Sequence, residues 1–227
     1  PEFGFSLGSQ QIANSDFYLQ SDSLFSNLAL YNAAPSDIRL QTTRLDTKNR
    51  ISYPKKVSFI EFTPYVEQRE TFYTKTKEIS RYNIIRSIFE TGATLSTKFY
   101  RTFDVEADIF GMTINKLRHV ITPAVTYLYT HTPSFPAAEL DTFDAIDSLT
   151  RAHNLGFSLE NRFQTKRSGK NVDLLRILGS TDFLLKENPG KGSFGNVKSD
   201  IEFRPVDWIT FHSDTTYSAQ ESKLSKM

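Results

Sequence analysis

The sequence predicts an all-β protein, an antiparallel transmembrane β-barrel of which it supplies about ten or eleven strands of a larger barrel. Three observations carry this reading. Apolar side chains recur at every second position over long stretches, the period of a strand whose successive side chains point to opposite faces. Hydrophobic residues make up only 38 % of the 227, yet aromatics reach 13 %, with 19 Phe and 10 Tyr. Few aliphatics beside many aromatics suit a sheet with one wet face better than a closely packed two-layer core. No uninterrupted apolar run of about 18 residues is present to cross a bilayer as a helix.

Taken in order, residues Pro1–Gly8 alternate through Phe3, Phe5 and Leu7. Asp16–Tyr31 reads as a longer strand with an irregularity near Ser21–Ser23. Ile38, Leu40 and Thr42 alternate with Arg39, Gln41 and Thr43; a polar turn over Asp46–Asn49 is expected next, then Ile51-Ser-Tyr-Pro54. Val57–Tyr73 is the longest alternating segment, with Ile60, Phe62, Pro64 and Val66 on one face and Glu61, Thr63, Tyr65, Glu67 and Arg69 on the other. Phe89, Thr91, Ala93, Leu95, Thr97, Phe99, Arg101 and Phe103 form a further face, opposite Glu90, Gly92, Thr94, Ser96, Lys98 and Tyr100.

Leu117–Tyr129 organises the rest. Leu117, His119, Ile121, Pro123, Val125, Tyr127 and Tyr129 share one face; Arg118, Thr122, Ala124 and Thr126 share the other. The run exceeds the mean soluble strand of about 5–6 residues and suits the roughly 9–11 tilted residues that cross a bilayer. Its two tyrosines fall at one end, where an interfacial aromatic girdle lies. Pro123 removes a ladder donor, so it belongs beside a bulge or a weakly paired position. The polar link Thr130 to Arg151 follows, with room for one helical turn at most within Asp141–Arg151. Leu155, Phe157, Leu159 and Phe163 return on one face, with Ser158, Glu160 and Arg162 behind. Lys166–Asn171 reads as a short turn by its Ser-Gly content. Leu175, Ile177, Phe183 and Leu185, the Gly-rich turn Asn188–Asn196, then Ile201, Phe203 and Pro205 against Asp200, Glu202 and Arg204, and last Ile209, Phe211, Thr215 and Tyr217 complete the pattern.

Charged residues on the second face are the functional clue. Glu61, Glu67, Arg69, Glu90, Lys98, Arg118, Glu160, Arg162, Glu202 and Arg204 recur there, with Thr122 and Thr126, and unpaired charge is costly to bury in an ordinary core. A water-filled interior accepts it. These twelve are the candidate lumen-facing residues; they read as a salt-bridged wall or as contacts for a polar plug or the sugar part of a substrate. Phe62, Phe89, Leu95, Phe99, Ile121, Val125, Tyr127, Tyr129 and Phe157 are the candidate lipid-facing set.

Other chemistries find little support. A net charge of +1 suggests no nucleic-acid partner, and zero Cys leaves no disulfide, thiolate site or cysteine nucleophile. Gly190-Lys-Gly192-Ser-Phe-Gly195 matches a dinucleotide fingerprint by spelling but lacks its strand–turn–helix setting, so it reads as a hairpin loop. Asp141, Asp144 and Asp147 lack the Gly and Glu of a calcium loop and read as a solvated loop. His119, His131, His153 and His212 have no ligand-like spacing. No catalytic residue, metal site or cofactor is expected, and the protein is read as no enzyme.

An ordered set of short motifs adds a resemblance. Arg50-Ile-Ser-Tyr-Pro54, Phe62-Thr-Pro64 with Arg69-Glu-Thr-Phe-Tyr73, Tyr100-Arg-Thr-Phe103, Arg118-His-Val-Ile-Thr-Pro123 with Tyr127-Leu-Tyr129, Leu140-Asp-Thr-Phe-Asp144 and Asn161-Arg-Phe163 follow one another. The chain resembles the barrel of the lipopolysaccharide-assembly family LptD (OstA), best over residues 50–163. The resemblance implies an outer-membrane barrel of a Gram-negative bacterium that places lipopolysaccharide in the outer leaflet. Its implied partners are an LptE-like plug lipoprotein in the lumen and periplasmic Lpt bridge proteins, reached through an N-terminal domain. On this view residues 1–227 are an internal part of one barrel domain, without that periplasmic domain or the barrel-closing strands. The link Thr130–Arg151 would be extracellular and Lys166–Asn171 a periplasmic turn. A porin or receptor barrel is the first alternative. A soluble or secreted long-stranded β-sandwich is the second, and it requires Ile121, Val125, Phe99 and Phe157 to be buried between two sheets.

Overall fold

The computed structural model describes residues 1–30, 40–77, 82–109, 111–167, 169–185, 194–218 and 223–226. Among these residues thirteen strands form: β1 (Glu2–Gln11), β2 (Tyr18–Leu30), β3 (Leu40–Ser52), β4 (Lys55–Val57), β5 (Ile60–Lys75), β6 (Tyr82–Thr97), β7 (Phe99–Ile109), β8 (Met112–Thr130), β9 (Ala152–Arg167), β10 (Lys170–Leu184), β11 (Phe194–Val206), β12 (Ile209–Ser218) and β13 (Lys223–Lys226). Their hydrogen-bonded order is β1-β2-β3-β5-β6-β8-β9-β10-β11-β12-β13, with β4 added to β5 and β7 to β8. Each strand thus meets its near neighbours in sequence, and every pairing whose register is defined is antiparallel. The chain divides into two compact units, residues 1–54, 63–93 and 128–153 in the first and residues 55–62, 94–127 and 154–227 in the second.

Several boundaries differ from the sequence expectation. β3 runs unbroken through Asp46–Asn49, where a turn was expected, and every residue from Arg44 to Ser52 is paired on both sides. Its polar side chains are satisfied across strands: Asp46 by Arg69 and Thr71, Lys48 by Asp22, Asn49 by Ser21. Val57–Tyr73 is not one strand. Ser58, with φ +57°, turns the chain so that β4 folds back on β5 through Lys55–Phe62 and Val57–Ile60. The irregularity expected in β2 lies opposite it, in β1, where the register shifts between Leu7 and Gln10 while β2–β3 stays regular. Ile38, Arg39, Tyr31 and most of the Asn188–Asn196 turn, including Gly190 and Gly192, fall outside the described residues.

Pro123 behaves as expected. β7 pairs Phe99 with Ile121, and Thr94 meets Thr126 on the same register at 3.3 Å between hydroxyls. The gap between β6 and β7, at Lys98, therefore falls opposite Thr122 and Pro123, where the missing N–H weakens the ladder. The Lys166–Asn171 turn is also as expected: Arg167 pairs with Lys170, and Gly169 takes φ +77°.

In the first unit a single glycine holds two strands in close register. A Cβ on Gly92 of β6 would lie 2.5 Å from the Tyr65 ring of β5. The ring covers that glycine, donates its hydroxyl to Glu90 (3.0 Å) and carries Arg50 on its face at 4.1 Å. An aromatic side chain laid over a strand glycine fills the space the missing side chain leaves. Gly92→Ala should push the ring away and break both contacts, at a cost of about 1–3 kcal/mol. Urea unfolding of the full-length protein in lipid vesicles measures this. Gly179→Ala, where nothing lies within 4 Å of the new Cβ, is the control expected to cost far less.

Candidate functional site

Burial is inverted relative to a water-soluble protein. Among the described residues the buried side chains include only four apolar ones, Tyr73, Ile88, Leu140 and Leu174. Eleven are polar or charged: Ser26, Thr42, Arg44, Asp46, Glu67, Thr71, Thr76, Arg86, Thr130, Asp147 and Thr165. Phe99 is 54 % exposed, Phe157 41 % and Val125 37 %; Phe62, Phe89, Leu95 and Tyr127 are exposed too, while Ile121 and Tyr129 are half-buried. Phe99, Phe157 and Val125 are thus not enclosed between two sheets, which removes the sandwich alternative.

The polar face of the first unit is an ion-pair lattice built by cross-strand pairing. Arg50 of β3 sits opposite Glu67 of β5 and donates Nε to it at 2.7 Å. Arg69 grips Asp46 with Nε and Nη2 at 2.9–3.1 Å, and the Thr71 hydroxyl donates to the same carboxylate at 2.7 Å. Glu90 accepts from Tyr65 and, at 3.1 Å, from Thr130. In the second unit Glu61 and Lys98 form an exposed pair at 3.6 Å, worth little in water. Glu160 accepts from Arg162 (3.0 Å) and Arg176 (2.7 Å), Arg176 also donates to Asp200 (2.7 Å), and Glu202 pairs with Arg204. Arg118 lies over Tyr100, its guanidinium carbon 4.5 Å from the ring centroid. Thr126 bonds Thr94, and Thr122 is half-buried.

The 130–151 segment supplies what the sequence reading missed. Asp144 and Asp147, expected in a solvated loop, are instead bound to the sheet. Asp147 is wholly buried, and Arg44 of β3, also wholly buried, donates Nη1 to Asp147 and Asp144 at 2.8 Å each, with Nη2 closing on Asp144. Tyr73 of β5 donates its hydroxyl to Asp147 at 2.8 Å, and the amides of Phe143 and Asp144 donate to the other Asp147 oxygen. Arg86 of β6, the second fully buried arginine, caps backbone carbonyls instead: Phe135 at 2.9 Å, Ile146 at 3.0 Å, and Leu149. Leu140 of the same segment is buried as well. Among the described residues a single 3-10 turn sits at Ala137–Glu139, and Asp141–Arg151 holds no helix, within the limit of one turn set by the sequence. Two arginines, on the strands that flank β5, thus fasten a 22-residue connection to the polar side of the sheet. The signal available in sequence was an arginine at polar-face spacing (Arg86 in Ile84-Ile-Arg-Ser-Ile88) with no acid two residues away to pair with.

Three histidines make packing contacts: His119 stacks on Phe163 at 4.2 Å and bonds Asn161, and Tyr129 meets His131 and His153 edge-on. His212 stands with Asp200 and Asp214, their ligand atoms within 4.8 Å of one another. Arg176 already holds Asp200, so the group reads as an ion-pair network. The apolar face of the first unit also carries a hydrogen-bonded polar band: Ser21 to Asn49, Ser23 to Thr47, and Gln68 and Ser87 to Glu70.

The family described as LptD, LPS transport system D, matches residues 2–227. The chain belongs to this family. No curated protein matches it. The LptD family transports lipopolysaccharide at the outer membrane of Gram-negative bacteria as part of the Lpt system; it is a family of transport and assembly proteins, and its fold is a β-barrel. The antiparallel sheet here is part of such a barrel. No helix among the described residues is long and apolar enough to cross a membrane.

Proposed function

We propose that residues 1–227 form part of the wall of one barrel domain of an outer-membrane translocon that inserts lipopolysaccharide into the outer leaflet. The inverted burial supports this most directly: large apolar side chains are exposed, while among the described residues most of the buried side chains are polar or charged. Lipid chains cross a wet lumen only at high cost, whereas sugar crosses it easily, so a polar-lined barrel that opens sideways separates the two parts of the substrate. In this reading Glu61, Glu67, Arg69, Glu90, Lys98, Arg118, Thr122, Thr126, Glu160, Arg162, Glu202 and Arg204 line the sugar path or meet an LptE-like plug lipoprotein. Phe62, Phe89, Leu95, Phe99, Ile121, Val125, Tyr127, Tyr129 and Phe157 meet lipid. Periplasmic Lpt bridge proteins deliver the substrate through the family's N-terminal domain, and no catalysis is involved.

Spin labels test the reading in the full-length protein reconstituted in vesicles. Labels at Val125 and Leu95 should collide with oxygen far more than with a nickel chelate. Labels at Thr126 and Thr94 should show the reverse. A first pair shielded from both reagents would make those side chains core and end the membrane assignment.

A further inference from the structure

A strand with one side unpaired presents a row of backbone N–H and C=O groups to any chain able to extend beside it. β7 is such a strand. It pairs with β8, and among the described residues no strand pairs with its other side. The cause is a difference in reach. The turn between β4 and β5 lies at Ser58 and Phe59, and the Phe59 carbonyl accepts from the Thr97 hydroxyl at 2.8 Å, two residues before β7 begins. β7 then runs on for 11 residues, of which ten are exposed and Ala107 is half-buried.

Free edges are commonly blunted by short length, by Lys or by Pro. Phe99–Ile109 is long and contains neither. Its outer half carries acid instead. Thr102–Asn115 holds Asp104, Glu106 and Asp108 and no Lys or Arg. Lys116 approaches Asp104 at 3.7 Å, both exposed, a contact worth little in water. Glu106 and Asp108 have no ion-pair partner among the described residues. The next cations, Lys166 and Arg167, stand on β9, across β8, and Arg167 is taken by Asp207. A bulge sets Asp104 and Val105 against Lys116; beyond it Glu106 and Asp108 alternate with Ala107 and Ile109, acids on one face and apolar side chains on the other. Two β7 edges laid together would crowd their carboxylates along one seam, which like-charge pairing disfavours. A strand with Lys or Arg at every second position meets the opposite condition.

We propose that the free edge of β7 is a docking site for an extended, basic segment of a partner protein, added as a strand alongside Thr102–Ile109. Ladder hydrogen bonds hold the segment, and the three acids select its charge. Neither an open edge nor a row of acids is tolerated in hydrocarbon. In a barrel wall this edge therefore projects beyond the membrane, at the end where Gly111 of the β7–β8 turn shares a depression with Lys166 and Arg167. Strand addition itself does not depend on the transport reading.

Photocrosslinking tests it on the full-length protein in dodecyl maltoside micelles. The probe is a peptide of alternating Lys and Val with a central benzophenone, mapped by mass spectrometry. Crosslinks should concentrate within Thr102–Ile109. Methylating the backbone nitrogens along one edge of the peptide, which keeps its charge and removes its ladder donors, should lower the yield about tenfold, and Glu106→Gln with Asp108→Asn should do likewise. A peptide of alternating Glu and Val should not crosslink there. Equal yield from the methylated peptide would reduce the contact to charge attraction and overturn strand addition. Crosslinks scattered over other acidic surfaces, or none at millimolar peptide, overturn the site. Disulfide-linked dimers of Ala107→Cys, formed without peptide, would make the edge an interface between two copies and overturn the basic partner.

Discussion

Arg44→Ala should release the 130–151 segment from the sheet. The substitution leaves Asp147, wholly buried, with only the Tyr73 hydroxyl and two amides for its charge. Breaking a buried pair by removing one partner costs roughly 3–5 kcal/mol. The segment is then held by the Arg86 bonds to its carbonyls and by Leu140 without the ion pair, so an open form should become populated. A spin label at Thr142, an exposed position on the segment, should sharpen from an immobile to a mobile spectrum. Arg44→Lys should fall between, because an ammonium lacks the fork that reaches two carboxylates. Joint replacement of Arg44 by Met with Asp144→Asn and Asp147→Asn should recover part of the immobile signal, since no charge is then stranded. A label that stays immobile in Arg44→Ala would show that Arg86 and packing hold the segment without the ion pair.

The same contact sets a pH dependence. The Arg44 hydrogen bond is the main reason the Asp144 carboxyl is held below its ordinary value, and the Ile146 amide adds to it. A carboxylate with a depressed folded pKa contributes stability that is complete above its unfolded value, near 3.9, and is lost as pH falls through the lower folded value. The segment should therefore stay fastened at neutral and mildly acidic pH. The Thr142 label should gain mobility only below about pH 4. Loosening near pH 6 would point to a histidine and not to Asp144.

Where the alternation was strict, sequence period and structure agree. Val125 and Thr126 lie on opposite faces of β8 because the apolar and polar sets are clean there, and the break at Lys98 was announced by Pro123. β3 defeated the same logic because both of its faces are polar in the middle: Asp46 and Lys48 on one, Thr47 and Asn49 on the other. Four polar residues in a row read as a turn, and only the partners on β2 and β5 show why they extend. β4 and β5 merged because Ser58 takes a positive φ that no Gly advertised. The fastening of Asp144 and Asp147 was illegible for a different reason. A contact across about a hundred residues depends on which strand lies under the connection, and spacing along the chain carries no record of it.

Val125→Arg should cost about 2–4 kcal/mol, whereas Thr126→Arg, one residue on, should cost little. The two positions share a strand, a depth and nearly the same backbone, so the difference isolates the medium each face meets. Val125 lies in a shallow, largely apolar depression with Ile60, Leu95 and Pro123, where a guanidinium would find no carboxylate. Thr126 faces the Thr94 hydroxyl, and a cation beside it enters a surface already rich in charge. Were both faces wet, an arginine at the exposed Val125 would be nearly free, since exposed surface substitutions usually fall within about ±0.5 kcal/mol. Were both buried, the two substitutions would be comparably damaging. Urea equilibrium unfolding of the full-length protein in phosphatidylcholine vesicles distinguishes the three cases. Only a large penalty at Val125 beside a small one at Thr126 fits lipid on one side of β8 and water on the other. Equal penalties at the two sites would remove the outer-membrane wall as the role of this strand, and with it the separation of lipid from sugar on which the proposed transport depends.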